Sequence, residues 1–280
     1  MALKTILVHI HDPRRVGRLL EAVLPLASAG AAHVIGLGVI PPFVEIPETA
    51  GSTGAFSTAE HRHRYLRHLD DMRQQFSAAT VGATFTSEWR EVDAEFGTVA
   101  TSVVREGRGA DLIVCSQADW RWTYSRLEEH PDELAVASGR PLLVVPNDGA
   151  IAMPPRHAVV AWSGTCEAIR AAFDLIELMP AATRVTVLTI DDGSGFTASD
   201  EAPGAELCAV LARHGLDCSA ALVPALDRDV GRVILSEAAA RGADVVALGA
   251  YGHSRLREFL LGGVSRHVLE ASDIPLLMSH

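Results

Sequence analysis

One pattern of sequence occurs twice along this chain. The segment GADLIV at 109–114 has a counterpart, GADVVA, at 242–247, and PLL at 141–143 has one at 275–277. In each half, apolar runs of strand length alternate with segments of helix length, which is typical of a parallel sheet with right-handed crossovers. A chain of 280 residues is also long for a single core. The sequence therefore predicts two α/β units in tandem.

Each half is expected to be a doubly wound, Rossmann-like domain, in which helices cover both faces of a five-stranded parallel sheet. The domains are predicted at 1–147 and 156–280, because NDGAIAMPP at 147–155 has the composition of a linker. We expect the two domains to pack against each other as a pseudo-dimer. The predicted strands are 4–10, 33–40, 85–92, 111–115, 141–145, 157–162, 184–190, 217–223, 244–248 and 276–278. The predicted helices are 16–29, 58–78, 96–107, 126–137, 166–179, 200–214, 230–241 and 264–271.

The composition of the chain argues against several classes of protein. The net charge is −11, whereas proteins that bind nucleic acid usually present a basic face. No apolar run approaches the roughly 20 residues of a membrane span, and the N-terminal segment lacks a signal-peptide pattern. We interpret the cysteines as reduced thiols, because no C-x-x-C pair occurs among Cys115, Cys166, Cys208 and Cys218. These features predict a cytoplasmic protein without a nucleic-acid or membrane partner.

A glycine-spaced segment follows the apolar run at 244–248, which is predicted to be a buried strand. Its spacing is Gly249-x2-Gly252-x9-Gly262-Gly263, and a helix is predicted to begin at Val264. Glycines let backbone N–H groups approach a ligand closely, and the first turn of a helix offers unpaired N–H groups to an anion. Ser265 adds a hydroxyl donor near this helix start. The order of strand, glycine loop and helix therefore predicts a phosphate site.

The same segment is basic within an acidic chain. Arg255, Arg257 and Arg266 outnumber Glu258, which gives a local charge of about +2 against the net charge of −11. The segment has neither the Gly-Lys-Ser/Thr of a Walker loop nor the tight G-x-G-x-x-G turn of dinucleotide-binding domains. The ligand predicted here is therefore acidic, and the loop belongs to neither of those two types.

The glycine spacing resembles that of the universal stress protein family, whose loop reads G-x2-G-x9-G-(S/T) and binds adenine nucleotides. Gly249, Gly252 and Gly262 match its three glycines. The flanking GHSRLREFLLGGVSRHVL and the IPLLMSH at 274–280 are similar to those of bacterial members. At the level of the fold, the resemblance covers nearly the whole chain.

The resemblance implies a nucleotide ligand, ATP or a related ADP or AMP, with a metal such as Mg²⁺ able to accompany it. It also implies a homodimer of tandem chains, and pairing of the two halves through their last strands, 141–145 and 275–278. In family members, the residues that correspond to 189–192 border the base. The residues expected to bind the nucleotide are Gly249, Gly252, His253, Arg255, Gly262, Gly263, Val264, Ser265 and Trp162.

Two departures from the family pattern leave other functions open. Gly263 stands at the Ser/Thr position, and the strand 157–162 is followed by no carboxylate until Glu167, where the family commonly has an aspartate that contacts the sugar. The first alternative is a nucleotide-free scaffold or sensor of the stress response, and another is an ordinary strand-to-helix turn that binds no ligand. A slow ATPase is a further alternative, but no side chain is placed as a catalytic base, so we predict no catalytic residues.

The first half lacks a matching loop. After Cys115 it continues SQADWRWTYSRLEEHPDELAVASGRP, with no glycine before Gly139. We expect three aromatic residues to occupy the space that the loop takes in the second half, namely Trp120, Trp122 and Tyr124. Asp12 matches the family's aspartate but lies in this half, and His9 and His11 beside it offer zinc as an alternative to ordinary core or solvated histidines. The sequence therefore predicts one intact nucleotide site and one degenerate one.

Overall fold

A computed structural model describes residues 3–42, 58–95, 97–125, 131–193, 203–250 and 263–280. Within these ranges the chain forms ten strands and eight α-helices. The strands are β1 Thr5–His9, β2 His33–Ile40, β3 Ser87–Asp93, β4 Leu112–Ser116, β5 Leu142–Val145, β6 His157–Ala161, β7 Arg184–Asp191, β8 Asp217–Pro224, β9 Val245–Gly249 and β10 Leu276–Ser279. The helices are α1 Val16–Gly30, α2 Thr58–Thr80, α3 Val99–Gly107, α4 Pro131–Ala137, α5 Cys166–Ile176, α6 Ala205–Arg213, α7 Val230–Arg241 and α8 Gly263–Ala271.

All ten strands lie in a single sheet, in the order β3-β2-β1-β4-β5-β10-β9-β6-β7-β8. Within each half every neighbouring pair of strands is parallel, as the alternation of strands and helices predicts. The halves meet where β5 and β10 pair antiparallel, with Leu143 opposite Leu277. The prediction of two doubly wound, five-stranded halves that pair through their last strands is confirmed. Because their sheets are continuous, the pseudo-dimer is one ten-stranded mixed sheet.

Helices cover both faces of this sheet and bury two apolar cores. Side chains of α1, α2, α5 and α6 pack on one face, with Leu19 and Leu175 among the buried residues. Side chains of α3, α4, α7 and α8 pack on the other face, with Val103 and Val268 among them. Because strands covered on both faces bury every side chain, a central strand such as β9 is apolar at successive positions rather than at alternate ones.

Some helices begin later than the sequence predicts, and local capping explains the difference. α3 begins at Val99 rather than at residue 96, because Thr98 forms a capping box with Thr101. α6 begins at Ala205 rather than at residue 200, after Gly204, whose φ of 86° lies in the left-handed region that favours glycine. The predicted start of α4, at residue 126, lies outside the described residues.

The junction between β5 and β10 can be tested by shortening a side chain at its centre. Leu277 is fully buried, and we expect Leu277→Ala to lower the free energy of unfolding by about 2–5 kcal/mol, because it removes buried methyl groups and leaves a cavity. The control is Leu226→Ala, since Leu226 is 73% exposed; this change should alter stability by about 0.5 kcal/mol or less. Equal effects of the two substitutions in urea unfolding would contradict a buried junction.

Candidate functional site

The candidate site lies at the carboxyl ends of β6 and β9, which are neighbours in the sheet. The chain leaves β6 into α5 on one face of the sheet and leaves β9 towards α8 on the other face. Adjacent strands whose connections diverge in this way open a crevice, and open α/β sheets bind their ligands in such crevices. The position of the glycine segment after β9 therefore agrees with a binding role.

The structure brings some of the sequence-predicted residues together at this crevice. Ala161 of β6 pairs with Leu248 of β9, so Trp162 and Gly249 extend the two strands side by side. Gly263, Val264 and Ser265 are the first three residues of α8. The remaining predicted residues, Gly252, His253, Arg255 and Gly262, lie outside the described residues.

Gly249 has a packing role that the sequence pattern did not indicate. A Cβ added at this position would lie 2.6 Å from the backbone N of Ala168 and 2.7 Å from the carbonyl carbon of Glu167. These are atoms of the first turn of α5, so the glycine lets that helix approach the end of β9 closely. Gly249 is thus required by the packing of α5 in addition to any contact with a ligand.

The N-terminus of α8 combines an open position with a buried one. An added Cβ at Gly263 would meet no atom of the described residues within 4 Å, and the residue is exposed. Val264 is half-buried and packs against the core on the α8 face of the sheet. Ser265 is 7% exposed, so its hydroxyl lies beneath the surface of the helix rather than in bulk solvent.

The chain that enters the glycine segment is held firmly at its start. The backbone N–H of Ala250 donates to the carbonyl of Ser279 at 2.7 Å, and Nδ1 of His280 donates to the carbonyl of Ala250 at 2.8 Å. The Ser279 hydroxyl donates in turn to Asp174 of α5 at 2.7 Å. Burial raises the pKa of Asp174, and this hydrogen bond partly offsets the effect. The end of β10 therefore fixes where the segment departs from the sheet.

Two buried oxygen atoms near the crevice have no hydrogen-bond partner among the described residues. They are Oγ1 of Thr189, whose residue is fully buried near the end of β7, and Oε2 of Glu167 in the first turn of α5. The side chain of Glu167 begins beside Gly249, since an added Cβ there would lie 2.8 Å from the Cβ of Glu167. Buried polar atoms are normally satisfied, so a ligand hydroxyl or a water is the expected partner.

Trp162 packs as part of the fold. Its backbone N–H donates to the carbonyl of Leu188 at 2.8 Å, and its side chain is half-buried against the core beneath α5 and α6. An added Cβ at Gly204, which caps α6, would lie 3.4 Å from the indole ring. The ring therefore lies close to the residue that precedes α6.

At the equivalent end of the first half, two buried carboxylates form ion pairs with arginines. Asp12 follows β1 and Asp119 follows β4, and both are nearly inaccessible to solvent. Arg14 contacts Asp12 at 2.6 Å, and Arg15 contacts Asp119 at 2.6 Å. Burial acts to raise the pKa of Asp119, but hydrogen bonds from Arg15 and Arg121 outweigh it and lower the value to about 2. Asp12, which matches the aspartate of the universal stress protein family, is therefore already paired with an arginine.

Two aromatic side chains lie close to these ion pairs and to each other. Trp122 and Tyr124 are buried and contact each other edge to face. The guanidinium carbon of Arg14 lies 5.3 Å from the centre of the Trp122 ring, which is a cation–π distance. Trp120 is 62% exposed. Because residues 251–262 of the second half lie outside the described residues, the expectation that the three aromatic residues occupy the space of that loop stays a prediction.

The described residues give no support for zinc at His9 and His11. Burial, with a smaller effect of His11, lowers the pKa of His9 to about 3, and burial lowers that of His11 to about 4, so both rings are neutral near pH 7. Within the described ranges, no group of three or more His, Cys, Asp or Glu side chains is placed to hold a metal ion.

No helix among those residues is long and apolar enough to cross a membrane.

One side chain of the first half reaches the helix that borders the crevice. Nε2 of Gln117 donates to the carbonyls of Leu269 at 2.9 Å and Ser272 at 2.8 Å, at the C-terminal end of α8. Oε1 of the same side chain accepts from the N–H of Asn147 at 2.9 Å. Carbonyls at a helix C-terminus lack partners within the helix, so Gln117 caps α8 from the other half. Sequence reasoning missed this residue, because a single glutamine carries no signal of such a contact.

Two matched substitutions test the packing around the crevice. We expect Gly249→Ala to cost about 1–3 kcal/mol of stability, because the new methyl group overlaps the first turn of α5. Gly263→Ala should instead stabilise the protein by about 0.4–1 kcal/mol, because the position is open and the unfolded chain loses freedom. Denaturant unfolding of both variants measures the difference, and a neutral Gly249→Ala would show that α5 does not pack against this residue.

The sequence profile of the universal stress protein family matches residues 223–280, which include the end of β8, β9, α8 and β10. No curated protein matches the chain. Among solved structures, the fold is similar to that of a universal stress protein from Archaeoglobus fulgidus, with 14% identity, a TM-score of 0.70, and coverage of 98% of this chain and 95% of that one.

A second structure of similar fold is a Pseudomonas aeruginosa protein provisionally assigned to the same family. It has 17% identity and a TM-score of 0.55, with coverage of 99% of this chain and 93% of that chain. At such low identities the structural likeness establishes the fold alone. The family profile matches the last part of the second half, residues 223–280, and the similarity of fold extends over the whole chain.

Proposed function

We propose that the protein binds an adenine nucleotide, ATP or the related ADP or AMP, in the crevice between β6 and β9. The observation that carries the proposal is the open N-terminus of α8 at the carboxyl edge of the sheet, directly after the glycine segment. Unpaired N–H groups and the positive end of the helix dipole favour phosphate there. The match of the family profile to residues 223–280 supports a role in the stress response.

The described residues around the crevice fit such a ligand. Gly263 leaves room for phosphate oxygens to approach the first turn of α8. The unpartnered oxygens of Glu167 and Thr189 would accept or exchange hydrogen bonds with the hydroxyls of a sugar. Glu167 would then serve in place of the aspartate that the family commonly carries after the preceding strand.

The residues from the glycine segment enter the proposal through their spacing in the sequence. Gly252 and Gly262 would bring the backbone close to the phosphates, and His253 and Arg255 would supply donors and positive charge. The N–H groups of Val264 and Ser265 would complete the phosphate contacts, and Trp162 would border the base. A magnesium ion would be held chiefly by the phosphates, as is usual for this ion.

We further propose that only the second of the two domains, 156–280, binds nucleotide, while the first, 1–147, has a degenerate site. This division is supported by the ion pairs of Asp12 with Arg14 and of Asp119 with Arg15, which use the polar groups at the equivalent end of the first half. A homodimer of tandem chains and a cytoplasmic location are implied by the family resemblance and stay predictions.

Calorimetric titration of nucleotide-free protein with ATP and Mg²⁺ tests the site. We expect Gly252→Val to weaken binding by at least about tenfold, because the side chain would exclude the phosphates from the backbone. The control is Gly109→Val, since Gly109 is exposed at the turn before β4 and an added Cβ would meet no atom within 4 Å in the described part of the chain. This variant should bind as the unaltered protein does.

Unchanged affinity in Gly252→Val would contradict the assignment of the glycine segment. If the unaltered protein neither retains nor takes up ATP, ADP or AMP, the alternative of a nucleotide-free scaffold replaces the proposal. That alternative has one structural observation in its favour, because the packing of α5 accounts for Gly249 without a ligand.

A further inference from the structure

Two cysteines that are separated in the sequence meet at the outer edge of the second half. Cys208 lies on α6 and Cys218 on β8, the edge strand of the sheet. Their Sγ atoms are 2.7 Å apart, with the thiol of Cys218 donating to the sulfur of Cys208. Both residues are half-buried, and neither is bonded in a disulfide. No C-x-x-C pair occurs in the sequence, so the contact between these two thiols arises from the fold.

We propose that Cys208 and Cys218 are a reversible oxidation site, which closes to an intramolecular disulfide when the protein reacts with a peroxide. A disulfide requires two thiols that already face each other, since larger separations demand movement of the backbone. The turn between α6 and β8 keeps the two side chains together, and their partial exposure leaves the sulfurs accessible to a small oxidant.

The pair divides into an attacking sulfur and a resolving one. Burial, together with the adjacent Cys208, raises the pKa of Cys218, so this residue retains its proton and donates it as a hydrogen bond. The geometry therefore assigns the attack to Cys208, the sulfur that accepts this hydrogen bond. Thiolates rather than thiols react with peroxides, so Cys208 is the sulfur that attacks.

The chemistry is balanced with hydrogen peroxide as the oxidant. The Cys208 thiolate attacks one peroxide oxygen, the O–O bond breaks, and the departing hydroxide takes up a proton to form water. The sulfur of Cys208 is now a sulfenic acid. The sulfur of Cys218 then attacks it, the S–S bond forms, and the hydroxyl leaves with the Cys218 proton as a second water. Two thiols and one peroxide thus give one disulfide and two waters.

The other two cysteines are suited to serve as references. Cys115 is buried in β4, and burial raises its pKa to about 12, so it reacts poorly. Cys166 is exposed at the first residue of α5 and would report oxidation that depends on exposure alone. Only Cys208 and Cys218 combine exposure with a second sulfur in contact.

The experiment uses the full chain with Cys166→Ser, which removes the exposed thiol at a surface position. After treatment with hydrogen peroxide, unreacted thiols are blocked with N-ethylmaleimide and the protein is digested with trypsin. Cleavage after Arg184, Arg213 and Arg228 separates the two cysteines into peptides 185–213 and 214–228. We expect these peptides to be joined and two hydrogen masses lighter than their sum. Dithiothreitol should release them.

Thiol titration under denaturing conditions gives an independent count. The Cys166→Ser protein has three cysteines, and oxidation should leave one free thiol per chain. Adding Cys218→Ser should abolish the joined peptide and allow dimedone to label Cys208. Peptides 185–213 and 214–228 recovered unjoined, or joined only between chains, would overturn the proposal. Dimedone labelling of Cys218 in the Cys208→Ser background at an equal rate would overturn the order of reaction.

Discussion

The antiparallel pairing of β5 with β10 is the interaction on which the rest of the structure depends. Leu142, Leu143 and Val144 meet the last strand of the second half in a region buried on both faces. The pairing removes two sheet edges that would otherwise offer unsatisfied backbone groups. It also reverses the direction of the strands, so the carboxyl ends of the two halves lie at opposite ends of the sheet. Gln117, at the carboxyl end of the first half, consequently meets the C-terminus of α8, whose N-terminus borders the crevice.

The two halves share one fold but differ in the partners of the polar groups at the carboxyl ends of their strands. In the first half, arginines engage Asp12 and Asp119, and Trp122 lies over Arg14. A buried charge needs such a partner, because removal from water is costly. In the second half, the oxygens of Glu167 and Thr189 have no protein partner among the described residues. We assign the degenerate site to the first half because arginines already engage its two carboxylates and because it lacks the glycine segment that follows β9.

The sequence was sufficient for the order of the elements, because this follows from apolar periodicity and from the repeated segments. The pairing of the two halves through their last strands was implied by the family resemblance. The sequence was less informative about residues whose role depends on tertiary contacts. The glycine spacing identified Gly249, but the close approach of α5 that also requires it depends on tertiary packing. Tertiary packing also brings Cys208 on α6 into contact with Cys218 on β8. It likewise decides that Trp120 is exposed while Trp122 is buried.

The central claim is that one half of the chain binds an adenine nucleotide and the other does not. Its most direct test is the amount of nucleotide released when the purified protein, saturated with ATP and then desalted, is denatured and analysed by mass spectrometry and absorbance. The account predicts about one adenine nucleotide per chain, since it assigns binding to the second half alone. Two per chain would show that the first half retains a site despite its ion pairs. None would contradict nucleotide binding altogether.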